Sequence, residues 1–109
     1  MRRAKILFKE REAGLLTQHD DGTFMFQYHD FWVENAERPP ISLTLPKRRE
    51  PYESDFLFPF FYNMLPEGSN KQVICKLNQI DDDDYFGLLM VTAKHDAIGA
   101  VRVQKTDEI

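Results

Sequence analysis

The side chains of this chain that could do chemistry are four consecutive aspartates, Asp81-Asp82-Asp83-Asp84, together with three histidines and one cysteine. A run of carboxylates is the raw material of a calcium site. Such a loop needs alternating ligands, a glycine at its sharp turn and a bidentate glutamate further on, and none of these accompanies the run. Consecutive side chains also point in different directions, so four in a row do not converge. What remains is helix capping, with acids accepting the orphan N–H groups and favouring the positive end of the dipole. His19, His29 and His95 are scattered, with no nearby Cys or Ser that could serve as a nucleophile. Cys75 reads as a small apolar filler. No phosphate-cradling glycine loop, dinucleotide turn, H-E-x-x-H or C-x-x-C spacing occurs. No enzymatic activity, metal or cofactor is expected.

The segment with the strongest local instruction is Phe60-Phe61-Tyr62-Asn63-Met64-Leu65-Pro66-Glu67-Gly68. Phe60, Phe61 and Met64 share a helix face, and Pro66 drives Leu65 out of the α region, so a helix must stop there. Gly68 supplies a turn, and Ser69-Asn70-Lys71-Gln72 reads as a capping box that restarts a helix. The result is a helix–tight loop–helix corner whose tip carries Tyr62, Met64, Leu65, Pro66 and Glu67. Such a tip either buttresses its own fold or is offered to another protein. Glu67 could accept N–H groups of the following helix, or pair with a basic group on a partner.

These elements imply an α+β class, a small antiparallel sheet or open barrel with about three helices packed to one side. Ile6 to Phe8 and Ala13 to Thr17 read as two antiparallel strands. Asp21-Gly22 is the dipeptide of tight hairpins, whose central residues need φ > 0. Phe24, Phe26 and Tyr28 alternate with Met25 and Gln27, placing three aromatics on one face. Trp32 falls in a loop or short turn. Ile41 to Leu45 reads as extended, with Ile41, Leu43 and Leu45 facing one way. A first helix is expected over Asp55 to Leu65, capped by Ser54 and starting late or kinked because of Pro59. A second is expected over Asn70 to Gln79, with Val73, Ile74, Leu77 and Ile80 on its inward stripe. A third should run from Tyr85 to Lys94, with Phe86, Leu89, Met90 and Ala93 facing in and Lys94 and His95 at its C-terminal end. Ile98 to Val103 should return as a strand beside the N-terminal ones.

With 109 residues, 42% of them hydrophobic, and nine Phe, four Tyr and one Trp, the chain is one domain, 1–109, able to bury a core without staples. A single cysteine excludes an intrachain disulfide and fits a reducing cytoplasm. Basic Met1 to Ile6 lacks a following apolar stretch, so no signal peptide is expected, and no run reaches membrane-helix length. A net charge of −4 argues against direct nucleic-acid binding. The one internal basic run, Lys47-Arg48-Arg49, reads as a solvated loop.

Four stretches in order carry a family resemblance: Arg38-Pro39-Pro40-Ile41-Ser42-Leu43-Thr44-Leu45-Pro46, then Phe60 to Gly68, then Asp84-Tyr85-Phe86-Gly87-Leu88-Leu89, then His95 to Val101. Together they resemble the N-terminal subdomain of HipA-type serine/threonine kinases, with Ile41, Thr44, Tyr62, Met64 and Ala97 departing from its usual pattern. The chain ends soon after that subdomain would, without the catalytic part. It therefore resembles HipS-type antitoxins of three-component HipBST toxin–antitoxin systems. The resemblance implies a cytoplasmic protein that binds and inhibits a HipT-like serine/threonine kinase, with a HipB-like helix-turn-helix DNA-binding protein as third component. The candidate contact residues are Phe61, Tyr62, Met64, Leu65, Pro66 and Glu67, with Phe61 also eligible for the core. The alternative is a structural subunit that stabilises or completes an active kinase without inhibiting it.

Overall fold

Alternating aromatic and polar residues dictate the central sheet, because a strand sends successive side chains to opposite faces. In the computed structural model, which describes residues 1–92 and 100–106, five strands are found. They are β1 (Arg2–Phe8), β2 (Arg11–Gln18), β3 (Phe24–Tyr28), β4 (Tyr52–Ser54) and β5 (Val101–Lys105). They form one antiparallel sheet in the order β4-β3-β2-β1-β5. Four helices accompany it among the described residues: α1 (Asp30–Glu34), α2 (Pro59–Tyr62), α3 (Gly68–Asn78) and α4 (Tyr85–Thr92). The α+β reading holds. The C-terminal strand does return beside β1, pairing Ile6 with Val103; Ala93 to Gly99, including Lys94 and His95, lie outside the described residues.

The inward face carries Ala4, Ile6, Leu16, Phe24, Phe26, Tyr28 and Val103, all buried. Onto it pack Trp32 from α1, Phe61 from α2, and Phe86 and Leu89 from α4. Phe26 is the hub, its ring centroid 4.8 Å from Tyr28 and 5.9 Å from Phe61. β2 passes close to β3 because position 14 is glycine: a Cβ there would lie 2.4 Å from the Gln27 carbonyl oxygen.

The tight hairpin turn does not fall at Asp21-Gly22 as expected. The tight two-residue hairpin with both φ positive is Lys9-Glu10, at 49° and 68°. Asp21-Gly22 sits in a longer loop where only Gly22 is positive, at 91°. There the Asp21 carboxylate accepts hydrogen bonds from the Thr23 N–H and hydroxyl, the local bonding by which Asp builds turns.

The segment 41–45 is not extended. Ser42 and Leu45 bridge across a turn, so Ile41 and Leu45 enter the core while Leu43 is 94% exposed. The turn is held by the buried Tyr28 hydroxyl, which accepts from the Ile41 N–H at 3.0 Å and donates to the Leu45 carbonyl oxygen. Burial pushes the Tyr28 phenol up to about 12. Tyr28→Phe should lower stability by roughly 1–3 kcal/mol in chemical denaturation, because two buried backbone groups lose their partner. A phenol whose pKa is raised on folding stabilises fully below its unfolded value near 10. That contribution should be lost as pH climbs from there toward 12, and Tyr28→Phe should remove this alkaline slope.

The expected helix over Asp55 to Leu65 shrinks to the single turn of α2. Tyr52–Ser54 pairs with β3 as an edge strand instead, and the Ser54 hydroxyl accepts from the Phe56 N–H in a turn rather than capping a helix. Pro59 explains the late start. It keeps Phe58 extended (φ −57°, ψ 139°) and stands at the first helical positions, where its missing N–H is harmless. Trp32 lies in a short helix, buried, with its indole N–H donating to the Pro39 carbonyl at 2.8 Å.

Helix α3 starts at Gly68, so the capping box at Ser69 to Gln72 falls inside its first turns, and Glu67 occupies the cap position without a side-chain bond. The helix ends in a Schellman arrangement, with Gln79 left-handed (φ 56°) and the Ile80 N–H donating to the Cys75 carbonyl at 2.8 Å. Its expected inward stripe is met in half, with Ile74 and Ile80 half-buried. Val73 and Leu77 are 55% and 77% exposed, whereas Cys75 is buried. The aromatic groups of β3, α2 and α4 already fill the space above the sheet, leaving α3 to touch α4 from outside. In α4, Phe86, Leu88 and Leu89 are buried and Met90 is half-buried.

Candidate partner-binding surface

The corner from Phe60 to Gly68 is built by short-range hydrogen bonds. The Phe61 and Tyr62 N–H groups both donate to the Phe58 carbonyl at 2.9 Å, Met64 donates to Phe61 at 3.0 Å and Leu65 to Tyr62 at 3.1 Å. Pro66 then breaks the series, Glu67 is extended, and Gly68 takes φ +60°. The chain therefore turns from α2 into α3 through Pro66, Glu67 and Gly68.

The six candidate residues separate by burial. Phe61 is 0% exposed and belongs to the core, which removes it from the contact surface. Met64 is half-buried and packs against the core. Tyr62 is 49% exposed; Leu65 and Pro66 are half-buried and Glu67 is exposed. Tyr62, Leu65, Pro66 and Glu67 line one cavity of about 290 Å³, joined by Asn63, Lys71 and Tyr85. Tyr85 meets Tyr62 edge-on at 5.5 Å, and the Lys71 ammonium stands 5.2 Å over the Tyr85 ring.

Lys71 and Tyr85 were not singled out in the sequence. Nothing local shows that the start of α4 returns beside α2, since that juxtaposition depends on long-range packing. Of the two roles open to Glu67, backbone capping is not used. Among the described residues its carboxylate has no hydrogen bond or ion pair, and it faces outward at the tip.

The aspartate run divides. Asp84 caps α4, accepting the Gly87 N–H at 3.1 Å, and it pairs with Arg2 in a two-point contact at 2.6 and 3.1 Å. That guanidinium, aided by the Gly87 N–H, holds the Asp84 carboxyl below the usual carboxylate range. A depressed folded pKa means stability that is present above the unfolded value of about 3.9 and lost as pH falls through the folded one. Asp84→Ala should lower stability at pH 7 by about 1–2 kcal/mol, through the lost cap and ion pair. The deficit should narrow on acidification below about pH 4, as measured by denaturant midpoints across pH. Asp81, Asp82 and Asp83 remain exposed.

The basic run lies in an irregular loop with Arg48 and Arg49 exposed, as expected, and each side chain has a contact within the chain. Lys47 donates to the Asn35 carbonyl at 2.8 Å, the Arg48 guanidinium lies 3.7 Å from the Tyr52 ring centroid, and Arg49 pairs with Glu34.

A family model for the HipA N-terminal domain matches residues 4–104. An uncharacterised protein of Haemophilus influenzae is 31% identical over 105 residues, covering 96% of this chain and 93% of that protein. Two proteins of Sinorhizobium fredii, named "Putative kinase Y4mE" and "Putative kinase Y4dM", are 34% and 29% identical over 72% and 84% of this chain. The matched regions amount to only 19% and 24% of those two proteins. Among solved structures, the N-terminal domain of HipA toxin superposes with a TM-score of 0.71 at 26% identity, covering all of this chain and 96% of that one. Among the described residues no helix is long and apolar enough to cross a membrane. With the match running from the first strand to the last, this chain belongs to the HipA N-terminal domain family.

Proposed function

We propose that this chain is an antitoxin of the HipS type, which docks on a HipT-like serine/threonine kinase and inhibits it. The observation that carries the reading is the corner at 62–67. It offers Tyr62, Leu65, Pro66 and an unpaired Glu67 around a cavity, on a domain that makes up only a fifth to a quarter of kinase-named relatives. Two partly exposed apolar side chains and an aromatic ring on a preorganised turn suit a partner's pocket, because little conformational freedom is lost on docking. Seated in the kinase cleft, the tip would occupy space that nucleotide or protein substrate needs. Nucleotide binding and phosphoryl transfer belong to the partner in this reading, as does DNA binding to a HipB-like helix-turn-helix protein in the same cytoplasmic complex.

The test is autophosphorylation of a purified HipT-like kinase, with and without the purified chain at equal concentration. Suppression is the expected result. Unchanged or increased activity would instead make the chain a supporting subunit, acting through the same surface with the opposite sign.

A further inference from the structure

Next to the corner, a second cleft of about 410 Å³ opens between the loop after β4 and the start of α4. Its walls include Asp55, Phe56, Tyr62, Asp83 and Tyr85. Phe56 is 79% exposed, a large ring held in water. Asp55 and Asp83 are exposed, and among the described residues neither has an ion pair or hydrogen-bond partner. Two unneutralised carboxylates beside three aromatic rings are complementary to one kind of side chain, a cation with a flat apolar face.

The chain shows how it binds such a group. The Arg2 guanidinium is gripped at two points by Asp84 and lies 5.0 Å from the Phe86 ring centroid, with the Gln18 side chain also accepting from it. The pair that holds it is an aspartate and an aromatic two residues apart. Asp83 and Tyr85 repeat that pair one residue upstream, on the neighbouring face of the same helix start, and Gln18 borders this cleft as well. The first pair is satisfied from within by β1. In the second the Asp83 carboxylate is unpaired, and the cation that Tyr85 meets among the described residues is Lys71, which lines the corner cavity and not this cleft. We infer that this cleft is a receptor for an arginine side chain presented by a protein partner. Arginine fits better than lysine, because its planar guanidinium can bond a carboxylate at two points while stacking on an aromatic ring. The inference depends on the proposed function only for who the partner is. Guanidinium recognition stands on the cleft itself.

The test needs no kinase. The full chain, with ring carbons labelled, is titrated with the peptide acetyl-Gly-Gly-Arg-Gly-Gly-amide while the Phe56, Tyr62 and Tyr85 ring signals are followed by NMR. Lysine and citrulline versions serve as comparisons, citrulline keeping the shape without the charge. The arginine peptide should shift these three residues with millimolar or weaker affinity, as one exposed site of this kind allows. The lysine peptide should bind less tightly, and citrulline should have little effect. Asp55→Asn with Asp83→Asn should weaken arginine binding roughly threefold to tenfold. Both residues are exposed and unpaired, so the variant should keep its denaturation midpoint. Absence of shifts up to roughly 50 mM, equal binding of the three peptides, or indifference to the double substitution would each overturn the inference. Failure of this titration and failure of kinase inhibition are separate results.

Discussion

Phe61→Ala should lower the stability of this domain by about 3–5 kcal/mol, the range for removing a fully enclosed phenylalanine. Phe61 is 0% exposed and touches three other phenylalanine rings, with centroids 5.9 Å from Phe26, 6.4 Å from Phe58 and 5.3 Å from Phe60. Its loss would leave a hole where α2 meets the sheet, and a domain typically has only ~5–15 kcal/mol in hand. Urea denaturation followed by circular dichroism should show a much lower midpoint. A change under about 1 kcal/mol would mean that α2 is not docked as described. Loss of kinase control by this variant would say nothing about contact, because the fold carrying the corner would itself be compromised.

The neighbouring residues should behave in the opposite way. Replacing Tyr62, Leu65 and Glu67 together by alanine should move the denaturation midpoint little and weaken kinase binding by a hundredfold or more. Anchors in the middle of an interface lose ~2 kcal/mol or more each on truncation, and every 1.4 kcal/mol is about tenfold. Leu65 is half-buried and Tyr62 touches Tyr85, so a modest loss of stability, of order 1 kcal/mol, accompanies the change. Titration calorimetry against the purified kinase gives the affinity directly. Retention of full affinity by a folded triple variant would remove the corner from the interface. Met64 is left untouched because, unlike Leu65, it does not line the cavity.

The contrast between Phe61 and Tyr62 shows what a sequence can and cannot reveal here. The period of two through Phe24, Phe26 and Tyr28 placed three aromatics inward, and the strand geometry leaves no other outcome. The stop at Pro66 and the turn at Gly68 were equally legible, since both are written in backbone sterics. The extent of the helix before them was not. Residues 55–58 go into a turn closed by the Ser54 hydroxyl and into the core contacts of Leu57 and Phe58, which local propensity leaves undecided. Half of the α3 stripe misled for a related reason. Apolar residues at helical spacing announce a face that is to be covered, without saying whether the chain itself covers it, and Val73 and Leu77 stay in water. Leu43 failed through turn chemistry: strict alternation suggested a strand, yet the Ser42 hydroxyl accepts the Thr44 N–H at 3.2 Å and closes a turn instead. Within the candidate site, residues close in sequence were found, whereas Tyr85 and Lys71 required knowledge of which helices meet.

Pairing of β5 with β1 gives the domain a particular relationship to its own synthesis. β1 acquires one of its two neighbours only when residues 101–105 have been made. Until then Ile6 lacks Val103 beside it, and α4 lacks one of the strands against which it packs. α4 in turn supplies Tyr85 to the cavity at the corner. The cavity at the corner is thus tied, through α4, to the pairing of residues 101–105 with β1, two surfaces that share no residue.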